Sequence, residues 1–239
     1  MGERLSCSPE AESLEIAYAK GVPSWALAPA ILGWRVWLKV CNGFEVMGLN
    51  NRRTVAVKVA VNCESKGGKC TATQAGTLSP FIEPLTSVSP LLDVEVGEHL
   101  ILRVPIDKAI VEIVVPVEEE DFPLGRLPES KAKASAHGVF EETVEMLKKL
   151  KGSGGVRIKV RATGDKLSVE PPRKVFKVDG GVEGVLEVKV FFADLLQALR
   201  VFKVAGLSPH VIWLGENVLG VEAECKIAKV VALLAGQID

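Results

Sequence analysis

The sequence lacks both the long apolar run of a membrane protein and the strong positive charge of many nucleic-acid-binding domains. None of its 239 residues lies in an uninterrupted apolar run of about eighteen, and the opening MGERLSCSPEAE has no apolar signal-peptide core. The formal net charge is −1, so any basic surface must be local. With 48% apolar and 25% charged residues, the composition predicts a soluble, intracellular, globular protein.

Recognisable catalytic and metal-binding patterns are also missing. The three histidines, His99, His137 and His210, lie far apart and have no metal-ligand spacing. The glycine-rich GSGGV (residues 152–156) follows a predicted helix, whereas a phosphate-binding loop precedes one. The acids EEED (residues 118–121) cannot converge on one ion from an extended segment, so we interpret them as a solvated or partner-facing charge run. We therefore expect no metal, no cofactor and no enzymatic activity.

Cysteines are few and scattered. Only Cys63 and Cys70 are close in sequence, in CESKGGKC, where they flank a predicted turn at Gly67-Gly68. Two free thiols beside a hairpin turn are the first interpretation, and a disulfide across the hairpin is the alternative. A metal site would need more ligands than this stretch contains. The remaining cysteines are Cys7, Cys41 and Cys225.

Alternating β-branched residues dominate the chain and predict strands. WRVWLKV (34–40) and TVAVKVAVN (54–62) have a period of two, and EHLILRVPI and KAIVEIVVPV follow them. Later, SKAKASAH predicts a weak strand, and GVRIKVRATGDKLSVE predicts a hairpin with its turn at Thr163-Gly164-Asp165. RKVFKVDGG, GVLEVKV and the C-terminal runs continue the predicted sheet.

Helix signals are fewer. VPSWALAPAILG (22–33) has Pro23 near its start and a kinking Pro29, and LSPFIEPLTSV (78–88) has a capping serine followed by proline. Residues 138–152 and 191–206 predict two well-formed amphipathic helices. In the first of these, acidic residues lead and lysines trail, as the helix dipole favours.

The order of these elements repeats. Each half has a helix, a strand-turn-strand unit, a short apolar strand, a second helix and further strands. VEEEDFPLGRLPES (117–130) has neither helical nor strand periodicity and predicts a strap between the halves. The sequence thus predicts an α+β fold of two tandem pseudo-repeat domains, with antiparallel sheets backed by short helices. The predicted domains are residues 1–116 and 130–239, joined by a connecting loop at 117–129.

Four stretches resemble the PCNA-type DNA sliding clamps of archaea and eukaryotes. CNGFEVMGLNNRRTVAVKV resembles the family's first strand-turn-strand unit, and EEEDFPLGRLPES resembles its interdomain connecting loop. GVFEETVEMLKKLKGSGGVRIKVRATGDKLSVE resembles the opening of its second domain, and GENVLGVEAECKIAKVVALLAGQI resembles its C-terminal hairpin and tail. The resemblance implies three subunits closed head to tail around duplex DNA, with helices lining the hole and a sheet forming the rim.

The resemblance also implies two protein-binding surfaces. KAIVEIVV of one subunit is expected to pair with KVFKV of the next, although both runs could instead pair within the chain. Client peptides are expected beneath the connecting loop, although Phe122 and Leu124 could instead only pin that loop to the sheet. The family usually has Ala-Pro where this chain has Ala235-Gly236, and commonly an apolar residue in place of Thr54, so we expect weaker or altered peptide binding. The interface residues would be Ile110, Val111, Ile113, Val114, Val175, Phe176 and Val178. The client-binding residues would be Leu49, Thr54, Ala56, Phe122, Leu124, Leu234, Ala235 and Gly236.

DNA contact in such a ring would be electrostatic and independent of sequence. The expected residues are Lys20, Arg52, Arg53, Lys148, Lys149, Lys151, Arg200 and Lys203. The lysines at 148–151 could instead only complement a helix dipole. The predicted first-half helices contain no basic residue. Three explanations remain open: other subunits of a heterotrimer supply the charge, the chain holds DNA weakly, or it no longer encircles DNA.

The sequence as a whole predicts a DNA polymerase sliding-clamp subunit, located in the cytoplasm of an archaeon or in a nucleus. The implied partners are duplex DNA, a clamp-loader ATPase, polymerase, nuclease or ligase clients, and other clamp subunits in a homo- or heterotrimer, with no membrane. The alternative is a diverged clamp-like interaction protein, either a heterotrimer-only or checkpoint-like subunit or one that no longer binds DNA.

Overall fold

A computed structural model describes residues 16–67, 72–75, 82, 89–119, 127–149 and 155–237. The first half contains β1 (Ala17–Pro23), β2 (Arg35–Cys41), β3 (Gly43–Leu49), β4 (Val55–Val61), β5 (Glu64–Lys66), β6 (Ala72–Ala75), β7 (Leu91–Val96), β8 (His99–Ile106) and β9 (Ala109–Glu119). The second half contains β10 (Ala132–Ser135), β11 (Arg157–Glu170), β12 (Lys174–Phe191), β13 (Val211–Gly215), β14 (Val218–Cys225) and β15 (Ala228–Ala235). The helices are a 3-10 turn (Ser24–Leu27), α1 (Ala28–Ile31), α2 (Val139–Lys148) and α3 (Phe192–Val204).

The two halves pair their strands in the same order. In the first half β1, β7, β8 and β9 form an antiparallel series, and in the second half β10, β13, β14 and β15 do the same. The end of β9 pairs with β6, while Gln237, just past β15, donates its backbone N–H to the Lys189 carbonyl of β12 at 2.8 Å. The predicted α+β fold with antiparallel sheets and short helices is therefore confirmed.

A sharp reversal inside β11 extends the match in strand order between the two halves. The Ser168 hydroxyl donates to the Arg161 carbonyl at 3.2 Å, although seven extended residues would span about 23 Å. The chain therefore turns back between them at Gly164, whose φ of 58° suits glycine and whose place the sequence predicted. The returning segment, residues 166–169, pairs with residues 174–177 of β12.

The halves are joined by a strand pair rather than by packing alone. β15 lies antiparallel to β4, and its register runs from Ala228 opposite Val61 to Leu234 opposite Val55. α3 packs over both strands and approaches α1. One apolar core of alternating strand residues and inward helix residues runs beneath the helices of both halves. The helices thus cover one face of the sheet, and we call the opposite face the outer face.

The first-half helix is shorter than the sequence predicts. Residues 22–33 give a 3-10 turn and one turn of α-helix, because Pro23 ends β1 and Pro29 removes a backbone donor. Ala28, Pro29 and Ala30 are buried, so most of α1 serves the core. The second predicted helix, residues 78–88, lies almost entirely outside the described residues. The sequence analysis did not identify β1.

The second-half helices match their predictions more closely. α2 begins after Gly138, which has a left-handed φ of 72°, and its first turn contains Glu141 and Glu142. α3 has Asp194 in its first turn and Lys203 in its last, both favourable to the helix dipole.

The structure agrees with the first interpretation of Cys63, a free thiol, and corrects one bound of the connecting loop. Cys63 is a free thiol, which excludes a Cys63–Cys70 disulfide, whereas Cys41 is disulfide-bonded. Burial raises the pKa of the Cys63 thiol despite a hydrogen bond from the Phe44 backbone. Residues 117–119, assigned to the connecting loop, continue β9 and pair with β6.

At Gly220 in β14, the packing of the outer face leaves no room for a side chain. A Cβ at this position would overlap the indole ring of the buried Trp213 on β13. We expect Gly220→Ala to lower the free energy of unfolding by about 1–3 kcal/mol, which thermal unfolding followed by circular dichroism would measure. Gly155→Ala is the matched control because a Cβ there meets no atom within 4 Å. Equal melting temperatures for the two variants would contradict this packing requirement.

Candidate functional site

The outer edge of β9 is open along residues 109–116 in the described part of the chain. Pro105 of β8 lies opposite Ile110 and has no N–H, so the two form a non-hydrogen-bonded pair. The backbone N–H and C=O groups of Ile110, Glu112 and Val114 therefore point away from β8, towards the open edge. Ile110 is 66% exposed and Val114 is 56% exposed, which leaves an apolar edge ready to accept another strand.

Among the residues that the structure describes, a second open edge lies at the start of β12. Residues 174–177 pair with β11 on one side, and Val175 is 62% exposed. Phe176 is half-buried against the core. Val178, proposed as an interface residue, is buried and pairs with Ala134 of β10, so its side chain belongs to the core. On β9, Val111 is 38% exposed and Ile113 is half-buried, and both lie on the face opposite that of Ile110 and Val114.

An apolar row crosses three strands of the outer face. Leu49 lies opposite Ala56, and Ala56 lies opposite Leu233. Leu233 packs in a small cluster with Trp213, Val218 and Val231, against which Ala56 and Leu127 also pack. Leu127 comes from the end of the predicted strap, so this described end of the strap contacts the cluster that contains Leu233. Phe122 and Leu124 lie outside the described residues.

Leu234 is not part of this row. It is fully buried in the main core, on the helix side of β15, whereas its neighbour Leu233 lies on the outer face. A peptide bound to the outer face cannot reach Leu234, so we assign the predicted client-peptide contact to Leu233 instead. The alternation of KVVALLAG separates Val231 and Leu233 from Val230 and Leu234, but both sets are apolar, so it does not show which set faces the core.

Polar side chains fasten the joint between the halves. The Asn50 amide oxygen accepts the backbone N–H groups of Thr54 and Val55, and its amide nitrogen donates to Gln197 of α3 at 2.8 Å. The Thr54 hydroxyl donates to the buried Asp194 carboxylate at 2.9 Å. Thr54 is therefore held towards α3 by the joint. Thr54 was predicted from the sequence, but Asn50, Asp194 and Gln197 were not. These three side chains come close to Thr54 only in the tertiary fold.

The C-terminal pair Ala235-Gly236 closes the same joint. Ala235 donates its N–H to the Thr54 carbonyl at 2.9 Å, and Gly236 donates to the Asn217 carbonyl at 2.7 Å. A Cβ on Gly236 would lie 2.9 Å from that oxygen. The tail is thus fixed by backbone contacts beside the apolar row.

Of the described helices, α3 has two exposed basic residues. Arg200 and Lys203 are exposed one turn apart, and Lys149 is exposed just past α2. The exposed residues of α2 itself include Glu141, Glu142 and Glu145. The structure does not describe the side chain of Lys148 or any part of Lys151.

Lys20 does not join this group. It lies in β1 with its ammonium over the Tyr18 ring, 5.8 Å from the centroid. Tyr18 and Lys20 alternate with the buried Ala17 and Ala19, so they lie on the face opposite the helices. Lys20 therefore does not share the face of the helices, as a contact with DNA beside them would require. Its position before a predicted helix was misleading because that region is a strand.

Arg52 and Arg200, 148 positions apart in sequence, meet in one cleft. The cleft has a volume of about 270 Å³ and lies between the β3–β4 loop and α3. Arg53, the next residue of the loop, is exposed but does not line this cleft, and its φ is 58°.

Among the described residues, no group of three or more histidine, cysteine, aspartate or glutamate side chains is placed to hold a metal ion. None of the described helices combines the length and apolar character needed to cross a membrane.

No family model and no curated protein matches this chain. A solved structure is similar: the crystal structure of the PCNA2-PCNA3 complex from Sulfolobus tokodaii. The match covers 92% of this chain and 99% of that chain, with a TM-score of 0.60 and 14% identity. This chain has the PCNA-type clamp fold.

Proposed function

We propose that this chain is a non-enzymatic subunit of a trimeric sliding clamp that encircles duplex DNA and tethers replication or repair proteins. The observation that carries the proposal is the repeated strand order, joined once within the chain by β15 and β4. The counterparts of these strands, β9 and the start of β12, have open apolar edges. Repeating the internal joint between subunits would use both edges and close a ring.

The internal joint supplies a register for the joint between subunits. Ala109 begins β9 after its hairpin as Ala228 begins β15. Phe176 lies opposite Leu167 as Val61 lies opposite Phe44, each opposite the first large core residue after a turn. Since Ala228 lies opposite Val61, Ala109 of one subunit would lie opposite Phe176 of the next.

This register brings complementary side chains together. It places Ile110 opposite Val175, the most exposed apolar residues of their respective edges. It also places Glu112 opposite Arg173, which bear opposite charges. The complementarity favours a ring that contains at least one contact between two copies of this chain.

The remaining surfaces suit the proposed partners. Client polymerases, nucleases or ligases would insert an apolar peptide over the row of Leu49, Ala56 and Leu233, beneath the strap, with the Ala235-Gly236 tail at its side. DNA phosphates would contact Arg200, Lys203 and Lys149 through weak, salt-screened interactions that permit sliding. A loader ATPase would open the ring. In this proposal residues 1–116 and 130–239 are the two clamp domains.

A second candidate is a clamp-like subunit that needs different partner chains or has lost DNA binding. The buried, uncharged α1 and the acidic surface of α2 favour it. Mass in solution and retention on circular DNA separate the candidates. For a homomeric clamp we expect three times the chain mass, and after loading, retention on closed circular DNA but release on linearisation. A monomer that is not retained on either DNA would overturn the homomeric proposal and leave the second candidate.

A further inference from the structure

The cleft shared by Arg52 and Arg200 has the chemistry of an anion site. Its lining consists of Leu32, Trp34, Asn50, Asn51, Arg52, Gln197 and Arg200. None of these residues is acidic, and neither arginine makes an ion pair with the described part of the chain. Two positive charges on the lining of one cleft make it favourable for an anion to lie between them.

The polar network of the joint fixes the orientation of a third donor. The Asn50 amide nitrogen donates to the Gln197 side-chain oxygen at 2.8 Å, which assigns that end of Gln197 as the acceptor. The Gln197 amide nitrogen therefore remains as a donor at the cleft. Asn50 itself is fully engaged, because it also contacts Thr54 and Val55.

Size and donor set indicate what the cleft holds. Its 270 Å³ lies just below the roughly 300–1,000 Å³ of drug-sized pockets, so it suits one small group rather than a large ligand. Arginine forks match phosphate oxygens with paired hydrogen bonds, and guanidinium also tolerates partial burial better than an ammonium. A phosphate would be held from both halves at once, by the β3–β4 loop and by α3.

We propose that this cleft is a phosphate-binding site that bridges the two halves through Arg52, Arg200 and Gln197. The phosphate comes either from a duplex backbone or from a free phosphorylated solute. The site itself requires neither ring closure nor DNA retention, and only its duplex source rests on the proposed function.

The test compares variants that remove equal charge inside and outside the cleft. Arg52→Gln with Arg200→Gln empties the cleft of cations, whereas Arg53→Gln with Lys203→Gln removes two neighbouring cations that do not line it. Binding of inorganic phosphate is followed by phosphorus NMR line broadening, with chloride replacing phosphate at constant ionic strength. We expect affinity to fall at least about tenfold in the first double variant and to be nearly unchanged in the second.

A short duplex then identifies the source of the phosphate. If it is the DNA backbone, the first double variant lowers the slope of log affinity against log salt by about 1. An unchanged slope with lost phosphate binding assigns the site to a free phosphorylated solute. The proposal is overturned if wild-type protein does not bind phosphate, or if both double variants lose affinity equally. A failure of trimer formation with the cleft-specific loss intact would contradict the clamp proposal alone.

Discussion

Ile110→Glu is expected to convert the trimer to monomers. In the proposed register the new carboxylate faces the apolar Val175 of the next subunit and lies near Glu112 on the same edge. Burying an unpaired charge costs several kcal/mol, which is large relative to one strand-edge contact. Size-exclusion chromatography with light scattering measures the loss directly, and retention on circular DNA should be lost with it.

The register, and not only the edge, is tested by rescue. Ile110→Glu combined with Val175→Lys places a cross-strand ion pair at every joint of a homomeric ring and should restore the trimer. Val185→Glu is the control, because Val185 is 54% exposed on β12 but lies outside both proposed edges. Trimers that persist in Ile110→Glu would contradict the proposed joint. Failed rescue would exclude this register between copies.

The fold was predictable from the sequence where local patterns of residues determine the secondary structure. Period-two runs identified β2, β4, β8 and β9, and the predicted helices at 138–152 and 191–206 correspond to α2 (Val139–Lys148) and α3 (Phe192–Val204). The first-half helix was overestimated because its apolar residues satisfy a helical stripe, while Pro23 and Pro29 limit it to two short turns. The missed β1 has Gly21 with a φ of 62° at a register shift, which breaks its alternation.

The candidate site was less predictable because it depends on which face and which neighbour each residue acquires. A one-residue difference separates the core residue Leu234 from the outer-face residue Leu233, and only the register of β15 against β4 decides between them. Lys20 likewise lies on the outer face, which its position in the sequence did not show. Arg52 and Arg200 were both identified, but their shared cleft follows from the joint between the halves, which no local pattern encodes.

The basic residues near α3 provide the second large expected effect. Arg200, Lys203 and Lys149 are the exposed cations on or beside the two described second-half helices, while α2 displays three glutamates. α1 has no basic residue, and the other predicted helix cations, Lys148 and Lys151, are left unchanged in this test. The triple variant Lys149→Glu, Arg200→Glu and Lys203→Glu should abolish retention on circular DNA at moderate salt. Each lost phosphate contact lowers the affinity for DNA, and each new carboxylate is repelled by the DNA phosphates.

A matched triple variant separates this local effect from overall charge. Lys39, Arg161 and Lys226 are basic residues away from the helices: the first two alternate with core residues and so lie on the outer face, and the third is in the β14–β15 turn. Their reversal to Glu produces the same change in net charge. Under the clamp proposal both variants remain trimers, and only the helix variant loses DNA. Equal loss in both would show that retention depends on net charge alone, and unchanged retention in the helix variant would show that these helices do not face the duplex.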